Sequence, residues 1–279
     1  MPKREVDIVV LSDMHLGTYG CHARELLQYL KSIKPGTVVL NGDIIDIWAF
    51  SKRYFPVTHI EIVKHIIGWI ASDVPVYYLP GNHDEMLRKF KDFQLGSLKI
   101  ANKLSLKLDG RNVWIFHGDV FDVAMKHSKW LAKLGGKGYD LLILLNRMVN
   151  FALEKMGGEK ISFSKKIKNS VKSAVNFIGD FEKTVCEIAL ENDYGFVVCG
   201  HIHQPCIKTL ETSKGSVVYM NSGDWIENLT SLEYNGNQWS IYRYAEDIIA
   251  QSITIKKQTG AKDREVSITN LLNEFKLAR

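Results

Sequence analysis

Five short apolar runs each end in a polar cluster, and this repeated join is what most constrains the fold of the chain. Val6 to Leu11 leads into Ser12-Asp13-Met14-His15, Thr37 to Leu40 into Asn41-Gly42-Asp43, and Val74 to Leu79 into Gly81-Asn82-His83-Asp84. Val113 to Phe116 leads into His117-Gly118-Asp119, and Phe196 to Cys199 into Gly200-His201-Ile202-His203. The runs are rich in β-branched or aromatic residues, the pattern of buried strands. In open α/β sheets ligands collect beyond the carboxyl ends of strands, so five strand ends can build one site from residues far apart in sequence. Glycines at Gly17, Gly42, Gly81, Gly118 and Gly200 suit chain segments that leave a strand sharply.

Helical patterns at Cys21 to Ile33 and His59 to Ser72 alternate with the strands up to about residue 119, and the alternation resumes near Tyr194. The stretch between them has helical periodicity at Ala124 to Leu134, Tyr139 to Met156, Lys165 to Ile178 and Phe181 to Glu191. It is punctuated by Gly135-Gly136-Lys137-Gly138 and Gly157-Gly158. Beyond Gly200, Ser216 to Met220, Leu229 to Tyr234 and Gln238 to Tyr244 predict a final meander, and Ile268 to Leu277 a short amphipathic helix. The expected division is a core of residues 1–119 and 192–250, a helical insertion over 120–191 acting as a cap or lid, and a tail over 251–279.

At 279 residues the chain can bury a sizeable core. The N-terminal apolar stretch is brief and broken by Asp7, which reads as a strand and not a signal peptide. Leu141 to Leu153 is too short to span a bilayer and carries Asn146, Arg147 and Asn150. Cys21, Cys186, Cys199 and Cys206 have no paired spacing, so free thiols in a reducing, cytoplasmic setting are expected. The net charge of +5 is unevenly spread: Val120 to Gly179 holds eleven Lys or Arg against four Asp or Glu. In the third predicted helix of the insertion, Lys165, Lys166, Lys168 and Lys172 lie mostly away from the stripe of Ile167, Val171, Ala174, Val175 and Ile178. The bland account is a solvated face over a buried stripe. The sharper one makes these lysines substrate-binding groups for a phosphate-bearing, amphipathic molecule, with peripheral contact to an anionic membrane also open.

Asp and His ligands joined by one Asn amide suit a first-row divalent ion such as Mn, Fe, Zn or Co better than Ca. The candidates exceed what one ion can use, and a bridging carboxylate would let two ions act together on a phosphoryl group. Alone, Asp13 or Asp43 could be a helix cap, and His117 a hydrogen-bonded residue of no special role. His22, His59, His65 and His127 match no cluster and read as structural or surface residues.

Taken in order, the clusters resemble the calcineurin-like metallophosphoesterase superfamily, whose pattern is Asp-x-His, Gly-Asp, Gly-Asn-His-Asp or Glu, a lone His, and Gly-His-x-His. The resemblance covers roughly residues 10 to 205. It implies an αββα sandwich of two central sheets flanked by helices, and two divalent ions, with Mn foremost. Asp13, His15, Asp43 and His203 would hold one ion. Asp43, Asn82, His117 and His201 would hold the other. His83 would act as a proton donor or transition-state stabiliser and Asp84 would orient it, while Asp46 and Asp119 would shape the loops. Ile45-Asp46-Ile47-Trp48, the insertion after Asp119, Gln204-Pro205 and Ser222-Gly223-Asp224-Trp225 are similar to the bacterial UDP-2,3-diacylglucosamine diphosphatases of lipid A synthesis. In that branch the insertion receives acyl chains and the enzyme works at the inner face of the inner membrane. That branch usually carries Arg where this chain has His83. A phosphodiesterase or phosphatase with another nucleotide, lipid or phosphoprotein substrate is the alternative. A nucleic-acid substrate is not expected, and a non-catalytic scaffold on the same fold is the remaining class.

Overall fold

Residues 3–47, 54–121, 164–213 and 215–255 are described in the computed structural model, with side chains from residue 178 onward in the third stretch. Strands β1 (Arg4–Leu11), β2 (Ile33–Asn41), β3 (Val76–Leu79) and β5 (Leu98–Ile100) run parallel. With β4 (Gln94–Leu95), β11 (Thr230–Asn235) and β12 (Gln238–Arg243) they form a seven-stranded sheet in the order β12-β11-β1-β2-β3-β5-β4. A five-stranded sheet has β6 (Leu104–Leu108), β7 (Arg111–Ile115), β8 (Tyr194–Cys199), β10 (Gly215–Asn221) and β9 (Cys206–Thr212) in that spatial order. Its three inner strands are parallel and its two edges antiparallel.

Side-chain alternation explains the sandwich. From β1 to β3, Ile8, Val10, Val39 and Leu79 point to one face, where they pack with Val113, Ile115, Val198 and Met220 of the second sheet. Val9, Leu11, Val38, Leu40, Val76 and Tyr78 point the other way, onto helices α1 (Ala23–Ser32) and α2 (Val57–Ala71). Strands covered on both faces read as unbroken apolar runs, which is how β1 and β2 look in the sequence. Helix α1 buries Leu26, Leu27 and Leu30 on one side, and Glu25 in its first turn with Lys31 in its last complements the helix dipole. Each such aliphatic side chain contributes about 1.5–3 kcal/mol through burial, so a charge at Val10 or Leu27 would break this packing.

Register brings the strand ends level. Leu11 pairs with Leu40 and Asn41 with Leu79 in the first sheet; Ile115 pairs with Val198 and Cys199 with Asn221 in the second. Six parallel strands therefore finish together at one end of the sandwich, three from each sheet.

The predicted final meander is not one unit. Strand β10 joins the five-stranded sheet beside β8, and the chain then crosses over so that β11 lies against β1. Burial drives the split, because β10 supplies Met220 to the layer between the sheets while β11 places Leu232 on its opposite wall. The two helices expected over Lys165 to Ile178 and Phe181 to Glu191 are a single helix, α3 (Ser164–Glu191). Gly179 does not break it, since one glycine in a helix of 28 residues costs only about 1 kcal/mol. A last short helix, α4 (Ile248–Ser252), follows β12. The predicted helices at Ala124 to Leu134, Tyr139 to Met156 and Ile268 to Leu277 lie outside the described residues, as does Trp48.

By internal packing the chain divides into residues 1–119 with 186–279, and residues 120–185. Among the described residues no helix is long and apolar enough to cross a membrane.

Candidate metal centre

The polar clusters meet because each follows one of the level strand ends, and their backbones interlock. Asp13 N–H donates to Gly42 O at 3.0 Å, His15 N–H to Asp43 O at 2.9 Å, Gly200 N–H to His117 O at 2.9 Å and Trp225 N–H to Asp13 O at 3.1 Å. Five of the residues assigned to metal carry positive φ: Asp13 at 51°, His15 at 46°, Asp43 at 54°, His201 at 64° and His203 at 54°. Asp and His tolerate this left-handed region better than most side chains, yet non-glycine residues persist there only when their surroundings hold them. Two glycines allow the approach. At Gly42, φ is +81° and a Cβ would sit 2.3 Å from His117 Nδ1. At Gly81 a Cβ would sit 2.3 Å from Asp43 Oδ1 and 2.7 Å from His117 Nε2.

Candidate ligand atoms of Asp13, His15 and His203 lie within 4.8 Å of one another, and so do those of Asp13, Asp43 and His117. His203 Nε2 is 3.0 Å from Asp13 Oδ1, and His117 Nε2 is 3.4 Å and His15 Nε2 3.8 Å from Asp43 Oδ2. Asp13, His15, Asp43 and His117 are all buried. Their outward atoms are fixed: His117 Nδ1 is 2.8 Å from Asn41 O, Asp13 Oδ2 accepts from His201 N–H, and Asp43 Oδ1 accepts from His83 N–H. The His201 ring stands 5.2 Å from that of His117.

Electrostatics fits a cation site. Burial would raise the Asp13 carboxyl, but His203 and His117 outweigh it and hold it at about 2. Burial opposes ionisation of Asp43 too, and His117, His15 and His83 together pull it down. The carboxylates in turn raise the histidines against burial: Asp13 and Asp224 bring His203 to about 9, and Asp43 with Asp13 lifts His117 well above its ordinary value. Buried His15 Nε2, Asn82 Oδ1 and His117 Nε2 have no hydrogen bond. Leaving such an atom unmatched costs about 1–3 kcal/mol, and a cation held here, displacing any ring proton, would satisfy all three. The mixed N and O donors favour first-row divalent ions.

Asp84, expected to orient His83, is placed otherwise. Its Oδ1 accepts from Gly81 N–H at 2.6 Å and its Oδ2 from Ile44 N–H at 2.9 Å and Tyr78 O–H at 2.6 Å, so it clamps two ligand loops. The carboxylate beside His83 Nδ1 is that of Asp46, with Oδ2 at 2.9 Å, and the same oxygen lies 3.1 Å from His15 Nδ1. Burial would lower His83, yet Asp46 and Asp43 raise it. The His83 and His15 rings meet edge to face at 4.6 Å. Arg88 Nη2 donates to the Asp119 carboxylate, 2.8 Å from Oδ1 and 2.7 Å from Oδ2, and to Pro80 O. Lys165, Lys166, Lys168 and Lys172 fall in the first part of α3, where side chains lie outside the described residues.

Asp224 is a member of the site that the cluster pattern did not single out. It follows β10, is buried, and lies 3.9 Å from His203 Nδ1 while accepting backbone N–H bonds from Ile226 and Glu227. The signal was there, since Val217 to Asn221 runs into Ser222-Gly223-Asp224 as the other strands run into their clusters.

The sequence model described as calcineurin-like phosphoesterase matches residues 6–205. The chain belongs to this family. It is a metal-dependent phosphoesterase by that membership. Among curated relatives, a UDP-2,3-diacylglucosamine hydrolase from Ectopseudomonas mendocina is 22% identical over 236 residues, covering 82% of this chain and 94% of that one. Its counterpart from Blochmanniella pennsylvanica is 24% identical, covering 76% and 85%. Among solved structures, the phosphoesterase Yfce from E. coli aligns at 13% identity with a TM-score of 0.43, over 85% of this chain and 92% of that one.

Proposed function

We propose that this phosphoesterase cleaves the pyrophosphate of UDP-2,3-diacylglucosamine to UMP and 2,3-diacylglucosamine 1-phosphate. The observation that carries the chemistry is the buried donor set, in which His15 Nε2, Asn82 Oδ1 and His117 Nε2 have no hydrogen bond and stand beside two carboxylates held ionised. Asp13, His15, Asp43 and His203 would hold one ion and Asp43, Asn82, His117 and His201 another. Two divalent ions, Mn foremost, would activate water and offset charge on the phosphoryl oxygens.

The chain's own groups do the rest. His83 would face the scissile phosphate and give a proton or hydrogen bond to the departing sugar phosphate as the P–O bond breaks. Asp46 would keep that ring charged and oriented, and through the same oxygen hold His15. Water adds to the phosphorus of the uridylyl group, so the bridging oxygen leaves with the sugar. The substrate assignment draws on the relatives named for that hydrolysis, which match this chain over more than three quarters of its length. The lysine-rich insertion, with Lys165, Lys166, Lys168 and Lys172, would bind the phosphates and meet an anionic membrane at its cytoplasmic face. Failure to cosediment preferentially with anionic vesicles would remove the membrane part.

His83 supports a second reading, hydrolysis of another phosphodiester or phosphomonoester, because the diphosphatase branch usually has Arg there. Chelated protein reloaded with Mn²⁺ should release UMP from UDP-2,3-diacylglucosamine faster than it cleaves bis(p-nitrophenyl) phosphate. Turnover of the chromogenic diester with no UMP release would establish the second reading instead.

A further inference from the structure

A cleft of about 360 Å³ opens between the first turns of α1 and α2. It is lined by Tyr19 and Tyr54, whose ring centroids are 3.7 Å apart, and by His22, Arg24, Glu25 and Thr58. Because α1 follows β1 and α2 follows β2, both first turns lie at the strand ends that carry the metal ligands. Tyr19 comes four residues after His15, and Thr18 N–H turns back onto His15 O at 3.2 Å. Even fully extended, four residues reach only about 14 Å, so the Tyr19 backbone lies within that distance of the His15 backbone. The rim is also tied to the centre: Gly17 N–H donates to His59 Nδ1, and His22 N–H donates to the carbonyl of Trp225, whose own N–H holds Asp13 O.

We infer that this cleft seats the nucleobase of a nucleotide substrate whose phosphorus lies at the metal centre, an assignment that rests on the nucleotide-sugar reading above. Tyr54 covers one face of the Tyr19 ring, while Tyr19 remains 80% exposed and offers its other face to a planar ring. Stacking on an aromatic side chain suits any base, and the lining also holds a donor in Arg24 and an acceptor in Glu25, the latter 3.8 Å from His22 Nδ1, for the polar edge of a pyrimidine. The charged and hydroxylated groups in that lining suit a base better than an acyl chain. The cleft thus separates the nucleotide half of the substrate from its lipid half.

The test compares UMP with ribose 5-phosphate, which share sugar and phosphate and differ in the base. On metal-loaded protein, inhibition of chromogenic diester hydrolysis should be about tenfold stronger for UMP. Tyr19→Ala should remove that ratio while leaving ribose 5-phosphate inhibition unchanged, and Tyr19→Trp should keep it. A ratio near one in the native protein, or a ratio that survives in Tyr19→Ala, overturns the base site. If UDP-2,3-diacylglucosamine is cleaved and the ratio ignores Tyr19, the cleft assignment alone fails. If that substrate is untouched and the ratio depends on Tyr19, the nucleotide-sugar reading fails and the base site stands.

Discussion

Adding one methyl group at Gly81 should cripple the centre, while the same change at Gly68 should stabilise the protein. A Cβ at Gly81 would lie 2.3 Å from Asp43 Oδ1 and 2.6 Å from His117 Cδ2. Neither neighbour can yield freely: Asp43 Oδ1 is held by His83 N–H at 2.8 Å and His117 Nδ1 by Asn41 O at 2.8 Å. Relief requires a shift of about 1 Å in a ligand, and overpacking of this kind costs about 1–3 kcal/mol. A displacement of about 1 Å at reacting groups lowers turnover by about 100-fold. Gly68 lies within α2 with nothing within 4 Å of its built Cβ. There alanine should gain about 0.5–1 kcal/mol from chain entropy, a Tm rise of about 1–4 °C for a chain of this size. The assay is Mn²⁺ titration calorimetry, phosphodiester turnover and thermal melts on both variants. A Gly81→Ala protein with native metal affinity and turnover would refute the close approach of these loops.

Three further outcomes follow from the same geometry. Burial holds His59 down to about 4, with Nδ1 accepting from Gly17 N–H, while the unfolded chain titrates near 6.5. Its stabilising effect is complete above pH 6.5 and is lost as pH falls toward 4, about 3 kcal/mol in all; urea melts across that window should flatten in His59→Gln, and an unchanged slope would contradict it. Asp46→Asn at saturating metal should lower kcat by about 100-fold with little change in KM, and should move the basic limb of the rate profile to lower pH as His83 loses the carboxylate that raises it. Chelation should abolish hydrolysis, and readdition of Mn²⁺ at 100-fold above its Kd should raise unfolding stability by about 2.7 kcal/mol; melts that ignore the ion would count against a resident cation site.

The strands were readable because burial on both faces writes itself into the sequence as continuous apolar runs, and the convergence of the polar clusters because they sit immediately after those runs. Direction was not readable. Asp84 adjoins His83 in sequence but points back to Gly81, Ile44 and Tyr78, whereas Asp46, nearly forty positions earlier, reaches His83 Nδ1. Adjacency in sequence sets distance along the chain, and the left-handed turns decide where each side chain goes. The split of β10 from β11 was hidden for a related reason: both are short and apolar, and only the crossover after Asn221 assigns them to different sheets. The continuity of α3 across Gly179 and Asp180 was hidden as well, because the two predicted helices stop at Ile178 and start at Phe181 and a single glycine costs a helix only about 1 kcal/mol.

The most direct test of the account is hydrolysis of UDP-2,3-diacylglucosamine in ¹⁸O-labelled water by the Mn²⁺-loaded protein, with both products analysed by mass spectrometry. The account predicts one ¹⁸O in UMP and none in the acylated sugar 1-phosphate. Label in the sugar phosphate would contradict attack at the uridylyl phosphorus, and absence of UMP would contradict the proposed reaction itself.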